Sequence, residues 1–263
     1  MQSKNKDPLV SIIVNCHNGE KYLPYCLNSI FNQSYKNWEL IFFDNCSTDK
    51  SKDLIIKYVD DKKIFYKKSE KFLNLYDARN NALKYISGEF VCFLDTDDQW
   101  TEDKLEKQVQ YLINNKEFGL VYSNYEVMNL KKNIRYVKYD NLLPEGDILS
   151  EILKEYRIGL LTVCFRKDNF KNFLFNPSYN IIGDYDFIIR LCKSNKIGCI
   201  QESLAIYRFH DNNLSHKLDI SIDEMKQWVK NNKEDLKEIF NFKFVKFYIL
   251  KLQIKRFTKN FIK

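Results

Sequence analysis

The chain has 263 residues, with 42 Lys plus Arg against 35 Asp plus Glu and hence a formal net charge of +7 with His neutral. A chain this long buries roughly 70–75% of its unfolded surface, and 44% hydrophobic with 29% charged residues is an ordinary globular composition, which argues against a disordered chain. No run approaches the ~20 apolar residues of a membrane-spanning helix, and the polar stretch 1–8 does not read as a secretory signal.

Residues 9–14 are a short apolar run rich in β-branched side chains, bounded by Pro8 and by the polar segment Asn15, Cys16, His17, Asn18 and Gly19. The pattern predicts a strand buried on both faces. From 20 to 32 the residues Tyr22, Leu23, Cys26, Leu27, Ile30 and Phe31 recur at spacings of three and four, as on an amphipathic helix. A second buried strand is expected over 38–43, then a polar turn over 44–49 that supplies capping residues, and a helix whose stripe is Leu54, Ile55, Tyr58 and Val59. A short strand over 64–66, a helix over 73–86 and a fourth buried strand over 90–94 follow. This alternation predicts an α/β fold with a mainly parallel, Rossmann-like sheet wound by right-handed crossovers and flanked by helices. Beyond Trp100 the rhythm changes to a charged helix over 101–115, a strand over 120–127 and a helix near 146–156. A strand-like stretch over 160–165, a helix over 183–193 and a strand over 197–207 complete the series. No internal repeat or low-complexity linker interrupts it, so the second half is expected to complete the same domain.

Seven scattered cysteines without a C-x-x-C pair give no zinc or redox signature, and the chain reads as cytosolic. With 7 glycines, neither G-x-x-x-x-G-K-[ST] nor G-x-G-x-x-G can be written anywhere, so any nucleotide is bound without a glycine cradle. Ligands of an open parallel sheet bind beyond the carboxyl ends of its strands. There stand Asn15, His17 and Asn18 after the first strand, Asp44 after the second, and Asp95, Asp97 and Asp98 after the fourth. Three carboxylates within four residues repel one another unless a cation lies among them, and such oxygen ligands suit Mn²⁺ or Mg²⁺. A solvated turn, with Asp98 or Thr101 capping the next helix, is the other reading of that cluster.

Four segments in register carry a family resemblance: 8–18 (PLVSIIVNCHN), 38–51 (WELIFFDNCSTDKS), 78–82 (ARNNA) and 88–98 (GEFVCFLDTDD). Together they resemble the nucleotide-binding half of family 2 glycosyltransferases of the bacterial surface-glycan type, whose fold is GT-A. More loosely, 183–190 (GDYDFIIR) resembles the family's Glu-Asp catalytic motif, and 207–210 (YRFH) with Asn213, Leu214 and Ser215 resembles the segment closing the acceptor side. The resemblance implies a GT-A domain over 1–216, with 8–115 binding the nucleotide sugar and 116–216 facing the acceptor. It implies an inverting, metal-dependent transfer from a nucleoside diphosphate sugar, a UDP-sugar foremost, to a glycan or lipid-linked acceptor in surface polysaccharide synthesis. Carried over position by position, Asp44 would meet the base, with Asn15, His17 and Asn18 packing against base or ribose. Asp95 would lie near ribose and donor sugar, and Arg79 at the phosphates or sugar. Asp97 and Asp98 would hold Mn²⁺ or Mg²⁺, with His210 as a further metal or diphosphate contact beside Arg208. Asp184 would be the general base, although an N-cap of its own helix is the plainer alternative. Two positions depart from the family: Gly183 stands where Glu commonly precedes the base, and 15–18 replaces Pro-x-Tyr-Asn.

From 243 to 263 there are seven basic residues and no acid, so residues 1–242 are formally neutral and the tail holds the whole surplus. Leu250, Ile254, Phe257 and Phe261 fall on one side of a helix and Lys255, Arg256, Lys259 and Lys263 on another. Residues 217–263 thus read as a basic amphipathic helical tail, suited to an anionic membrane surface at the inner face of the cytoplasmic membrane. Packing on the domain or on a second copy is the alternative, and no nucleic-acid motif accompanies the charge. Two rival functions are a non-catalytic nucleotide-sugar-binding assembly protein and a sugar-phosphate nucleotidyltransferase, although 15–20 lacks the Gly/Arg-rich loop expected of the latter.

Overall fold

The computed structural model describes residues 7–59, 62–170, 174–237 and 243–261. Strands β1 (Val10–Cys16), β2 (Trp38–Asp44), β3 (Ile64–Lys68) and β4 (Phe90–Phe93) lie parallel in the order β3-β2-β1-β4. Helices α1 (Leu23–Phe31), α2 (Ser51–Ile56) and α3 (Leu75–Ala82) cross between them. Every residue of β2 and nearly every residue of β1 is buried, because helices cover both faces.

The remaining strands extend the same sheet. They are β5 (Gln99–Trp100), β6 (Phe118–Asn129), β7 (Ile134–Val137), β8 (Cys164–Arg166) and β9 (Lys196–Phe209). The full order is β3-β2-β1-β4-β8-β6-β9-β5, with β7 pairing β6. β8 runs antiparallel to both β4 and β6 and joins the parallel half to the rest. On one face α1, α2 and α4 (Lys104–Asn114) cover Ile12, Val14, Phe42 and Cys92. On the other, α3, α5 (Leu149–Lys154), α6 (Gly183–Cys192), α7 (Leu218–Leu236) and α8 (Lys243–Phe261) cover Ile13, Ile41, Val91 and Phe165.

Two expectations need correction, and two short strands had none. Residues 160–165 are not one strand, since Leu160–Thr162 is a 3-10 turn and only Cys164–Arg166 pairs. The helix expected near 146–156 shrinks to Leu149–Lys154, because Gly146, at φ +98°, instead bridges Ile197. β5 and β7 carried no signal: β5 has two residues held by β9, and β7 is exposed throughout.

The tail helix α8 shares the core through Val245 and Ile249, with Leu252 packed against the same cluster. Phe244, Phe247, Leu250 and Ile254 are exposed on its other side. Only the backbone of 255–261 is described and Lys263 lies outside the described residues, so the expected basic face of Lys255, Arg256, Lys259 and Lys263, with Phe257 and Phe261, is untested. No helix among the described residues is long and apolar enough to cross a membrane.

Candidate active site

The carboxyl ends of β1, β2 and β4 converge, as a parallel sheet requires. After β1, Asn18 adopts a left-handed backbone (φ 55°), and after β2 so does Cys46 (φ 57°), a conformation L-residues sustain only where surrounding bonds enforce it. Here Asn18 Oδ1 accepts the Thr48 N–H at 2.8 Å, and the Asn18 N–H donates to Ser47 Oγ at 3.0 Å. His17 is exposed, with its Nδ1 2.8 Å from the Asn45 carbonyl and its ring edge-on to exposed Phe72. The buried Asn15 Nδ2 has no protein partner.

Asp44 is the residue expected to meet the base. It is fully buried, accepting the Ser47 N–H at 2.7 Å on one oxygen and the Tyr66 hydroxyl at 2.6 Å on the other. Its carboxylate therefore holds the 45–48 turn. Asn45 ties the same turn to 73 by accepting the Leu73 N–H and donating to the Leu73 carbonyl.

After β4 the three carboxylates separate into different roles. Asp95 takes an ion pair from Arg79, whose Nη2 lies 2.8 and 3.0 Å from its two oxygens. The Arg79 side chain is buried against the rings of Tyr76, Phe93 and Phe175, which fixes its direction. Asp97 Oδ2 lies 2.9 Å from His210 Nε2 and 3.2 Å from Asn213 Nδ2. Burial and the Asp95 charge push the Asp97 carboxyl up, against the lowering contact with His210.

Asp98 turns inward instead, accepting the Arg208 N–H at 2.9 Å, and burial with the charges of Asp97 and Asp95 drives its pKa well above the carboxylate range. Of the expected metal set, Asp97 and His210 are in contact, while Asp98 is buried beneath them against the Arg208 backbone. Arg208 braces the turn by donating to the Asp97 carbonyl and to Gln99 Oε1, its guanidinium lying over Tyr22 and Tyr25. Among the described residues no group of three or more His, Cys, Asp or Glu side chains could hold an ion by itself. One carboxylate beside one imidazole nitrogen still fits Mn²⁺ or Mg²⁺ if a ligand's own oxygens complete the shell.

Asp184 stands in the first turn of α6. Its Oδ1 lies 3.3 Å from the Tyr76 hydroxyl and accepts the Tyr185 N–H at 2.9 Å. Burial raises its pKa, with Arg79 and the Tyr185 N–H opposing and Asp95 adding to the rise. A raised carboxyl is better matched to taking a proton near neutral pH. Gly183 now has a reason: a Cβ there would lie 2.5–2.6 Å from the Tyr76 ring, so the aromatic ring occupies the space a family Glu would need. Asp186, two residues on, points away to Arg190 and Trp228.

Sequence reasoning missed Tyr66, Asn45 and Tyr76. Asn45 stands in the 38–51 segment beside Asp44, and Tyr76 lies one helical turn before Arg79 and so on its face.

Comparison with known proteins shows the family and the fold. The model of the family described as glycosyl transferase family 2 matches residues 11–212. Over 197 residues the chain is 34% identical to the Escherichia coli UDP-Glc:alpha-D-GlcNAc-diphosphoundecaprenol beta-1,3-glucosyltransferase WfgD, covering 74% of each protein. The structure of S. aureus TarS 1-349 in complex with UDP superposes with a TM-score of 0.67 at 22% identity, over 82% of this chain and 65% of that one. The mannosyltransferase PcManGT from Pyrobaculum calidifontis, in complex with GDP-Man and Mn²⁺, gives 0.65 at 14% identity, over 86% and 65%. At these identities the two structures bear on the fold, which is GT-A.

Proposed function

The chain belongs to glycosyl transferase family 2, and from that premise we propose an inverting transfer of a sugar from a UDP-sugar to a hydroxyl of a glycan or lipid-linked acceptor in surface polysaccharide synthesis. One observation carries the reading. Tyr76 links the two strips of acid: its hydroxyl lies 3.3 Å from Asp184 Oδ1, and its ring lies 5.5 Å from the Arg79 guanidinium that pairs with Asp95, so Asp184 and Asp95 flank one site.

In this reading the acceptor oxygen forms a bond to the anomeric carbon while the bond from that carbon to the diphosphate oxygen breaks. The electron pair leaves with the nucleoside diphosphate, and the hydroxyl proton passes to Asp184. A positioned base contributes about 10²–10⁴-fold. Asp97 and His210 would hold Mn²⁺ or Mg²⁺, which stabilises the diphosphate's developing charge by several kcal/mol. Asp95 and Arg79 orient the sugar and phosphates. The nucleobase lies against the 15–18 and 45–48 turns that Asp44 braces, beside Asn15 and with His17 and Asn18 at the rim.

The experiment is UDP or GDP release from UDP-glucose, UDP-GlcNAc and GDP-mannose with Mn²⁺ in wild type, Asp97→Asn and Asp184→Asn. Loss of turnover in both variants, with Mn²⁺-dependent donor binding lost only in Asp97→Asn, is expected. Wild-type turnover by Asp184→Asn would remove the base assignment.

The outward face of α8 further supports peripheral attachment to an anionic membrane. Its inner face is spent on the core, while Phe244, Phe247, Leu250 and Ile254 are exposed and Lys251 lies over the Phe247 ring. A lipid-linked acceptor would be met there.

A further inference from the structure

Helix α7 begins at Leu218, beyond the last residue matched by the family model, yet it grips the segment that carries Asp184. Glu224, buried on α7, accepts the backbone N–H of Asn180 at 2.6 Å on Oε1, and those of Ile181 at 2.9 Å and Ile182 at 3.1 Å on Oε2. The Asn180 side-chain amide adds a fourth bond at 3.2 Å. Ile182 is the residue from which α6 starts, two positions before Asp184. One turn along α7, Trp228 donates from Nε1 to Asp186 Oδ1 at 3.1 Å, and its ring meets Tyr185 edge-on. From the opposite side the Tyr76 hydroxyl reaches the Ile181 carbonyl at 2.8 Å as well as Asp184.

Donors buried at the start of a helix need acceptors. A side chain of the turn itself commonly supplies them, but here no side chain caps α6 at its own N-cap. The acceptor comes instead from a helix 42 to 44 residues further along the chain. We propose that Glu224 is a positioning residue for the general base: it fixes the 180–182 turn from α7 and thereby sets where the Asp184 carboxylate stands relative to donor and acceptor. The proposal rests on Asp184 being the base. It makes the helix outside the family match a working part of the active site, and misplacing a reacting group by about 1 Å can cost on the order of 100-fold in rate.

Glu224→Gln is the sharp test, because its amide nitrogen would put a donor against backbone donors that now share two carboxylate oxygens. Donor turnover with Mn²⁺ should show kcat lowered about 10- to 100-fold, while the donor KM and the Kd for UDP stay within about twofold. The hydrogen bonds of Glu224 go to Asn180, Ile181 and Ile182, none of which is assigned to the donor. Hydrogen exchange followed by mass spectrometry should quicken in peptides spanning 178–186 and stay unchanged in those spanning 90–100. Glu224→Asp, which keeps both oxygens, should recover part of kcat. If Glu224→Gln does not fold, Trp228→Phe, which keeps an aromatic side chain but loses the indole N–H and its bond to Asp186, should lower kcat severalfold at unchanged KM.

Full kcat in Glu224→Gln while Asp184→Asn is inactive would overturn the proposal alone. So would unchanged exchange over 178–186, or a parallel fall of kcat and UDP affinity, which marks general loosening. Wild-type turnover by Asp184→Asn would instead overturn the reading of the base on which the proposal rests.

Discussion

Asp184 combines two properties that a single substitution separates. Burial raises its pKa, so the ionised form needed to accept a proton is disfavoured by the fold. A carboxyl whose folded pKa exceeds its unfolded value of ~3.9 favours the native state only while protonated, and above that range ionisation works against folding. Asp184→Asn should therefore lower kcat by about 10²–10⁴-fold while melting at pH 7 at or above the wild-type temperature, with the difference shrinking as pH approaches ~4. The kcat of the wild type should fall on acidification around a midpoint above the ordinary carboxylate range, read from a pH series with saturating donor. Gly183 next to it tolerates no side chain. Gly183→Ala should cost about 1–3 kcal/mol of stability through overpacking against Tyr76, measured by denaturant unfolding, and should lower kcat as Asp184 shifts. The carboxylates at 44, 95, 97, 98 and 184 were all legible in the sequence as acids at strand or helix ends. Their division of labour was not: Asp44 and Asp98 turn into the protein because Tyr66 and Arg208, distant in sequence, meet them there.

At the scale of elements, the first four strands and their helices were readable because each is a local pattern, a β-branched run or a stripe at spacings of three and four. β5 and the 3-10 turn Leu160–Thr162 were not, since two or three residues carry no period and pairing with a remote strand decides them. The tail helix shows the same limit. Its amphipathic stripe was visible, but that Val245 and Ile249 complete the core while Phe247 and Leu250 face outward depends on α5 and α7. The two faces should respond differently. Ile249→Ala should cost about 2–5 kcal/mol in urea unfolding, whereas Phe247→Glu with Leu250→Glu should leave stability nearly unchanged and abolish sedimentation with anionic liposomes. Retained liposome binding by the double variant would remove the membrane role from this face.

For the whole molecule, the charge of +7 resolves into a formally neutral body and a basic tail. Attachment through that tail should weaken strongly between 0.1 and 0.5 M NaCl, because the Debye length contracts from ~10 Å toward the ~3 Å of 1 M salt. One sheet runs through both halves, with β8 antiparallel between β4 and β6 as the seam. This seam brings Arg208 and His210, at the end of β9, against Asp97 and Asp98 after β4. By itself the sequence determined the α/β class, the family, the strand ends where chemistry gathers and the location of the charge, because all of these are written in local periodicity and short motifs. Only the tertiary structure decided which carboxylates remain open, why Gly183 faces Tyr76, and that α7 holds the turn before Asp184. Each of these depends on contacts between residues tens of positions apart, which no local pattern encodes.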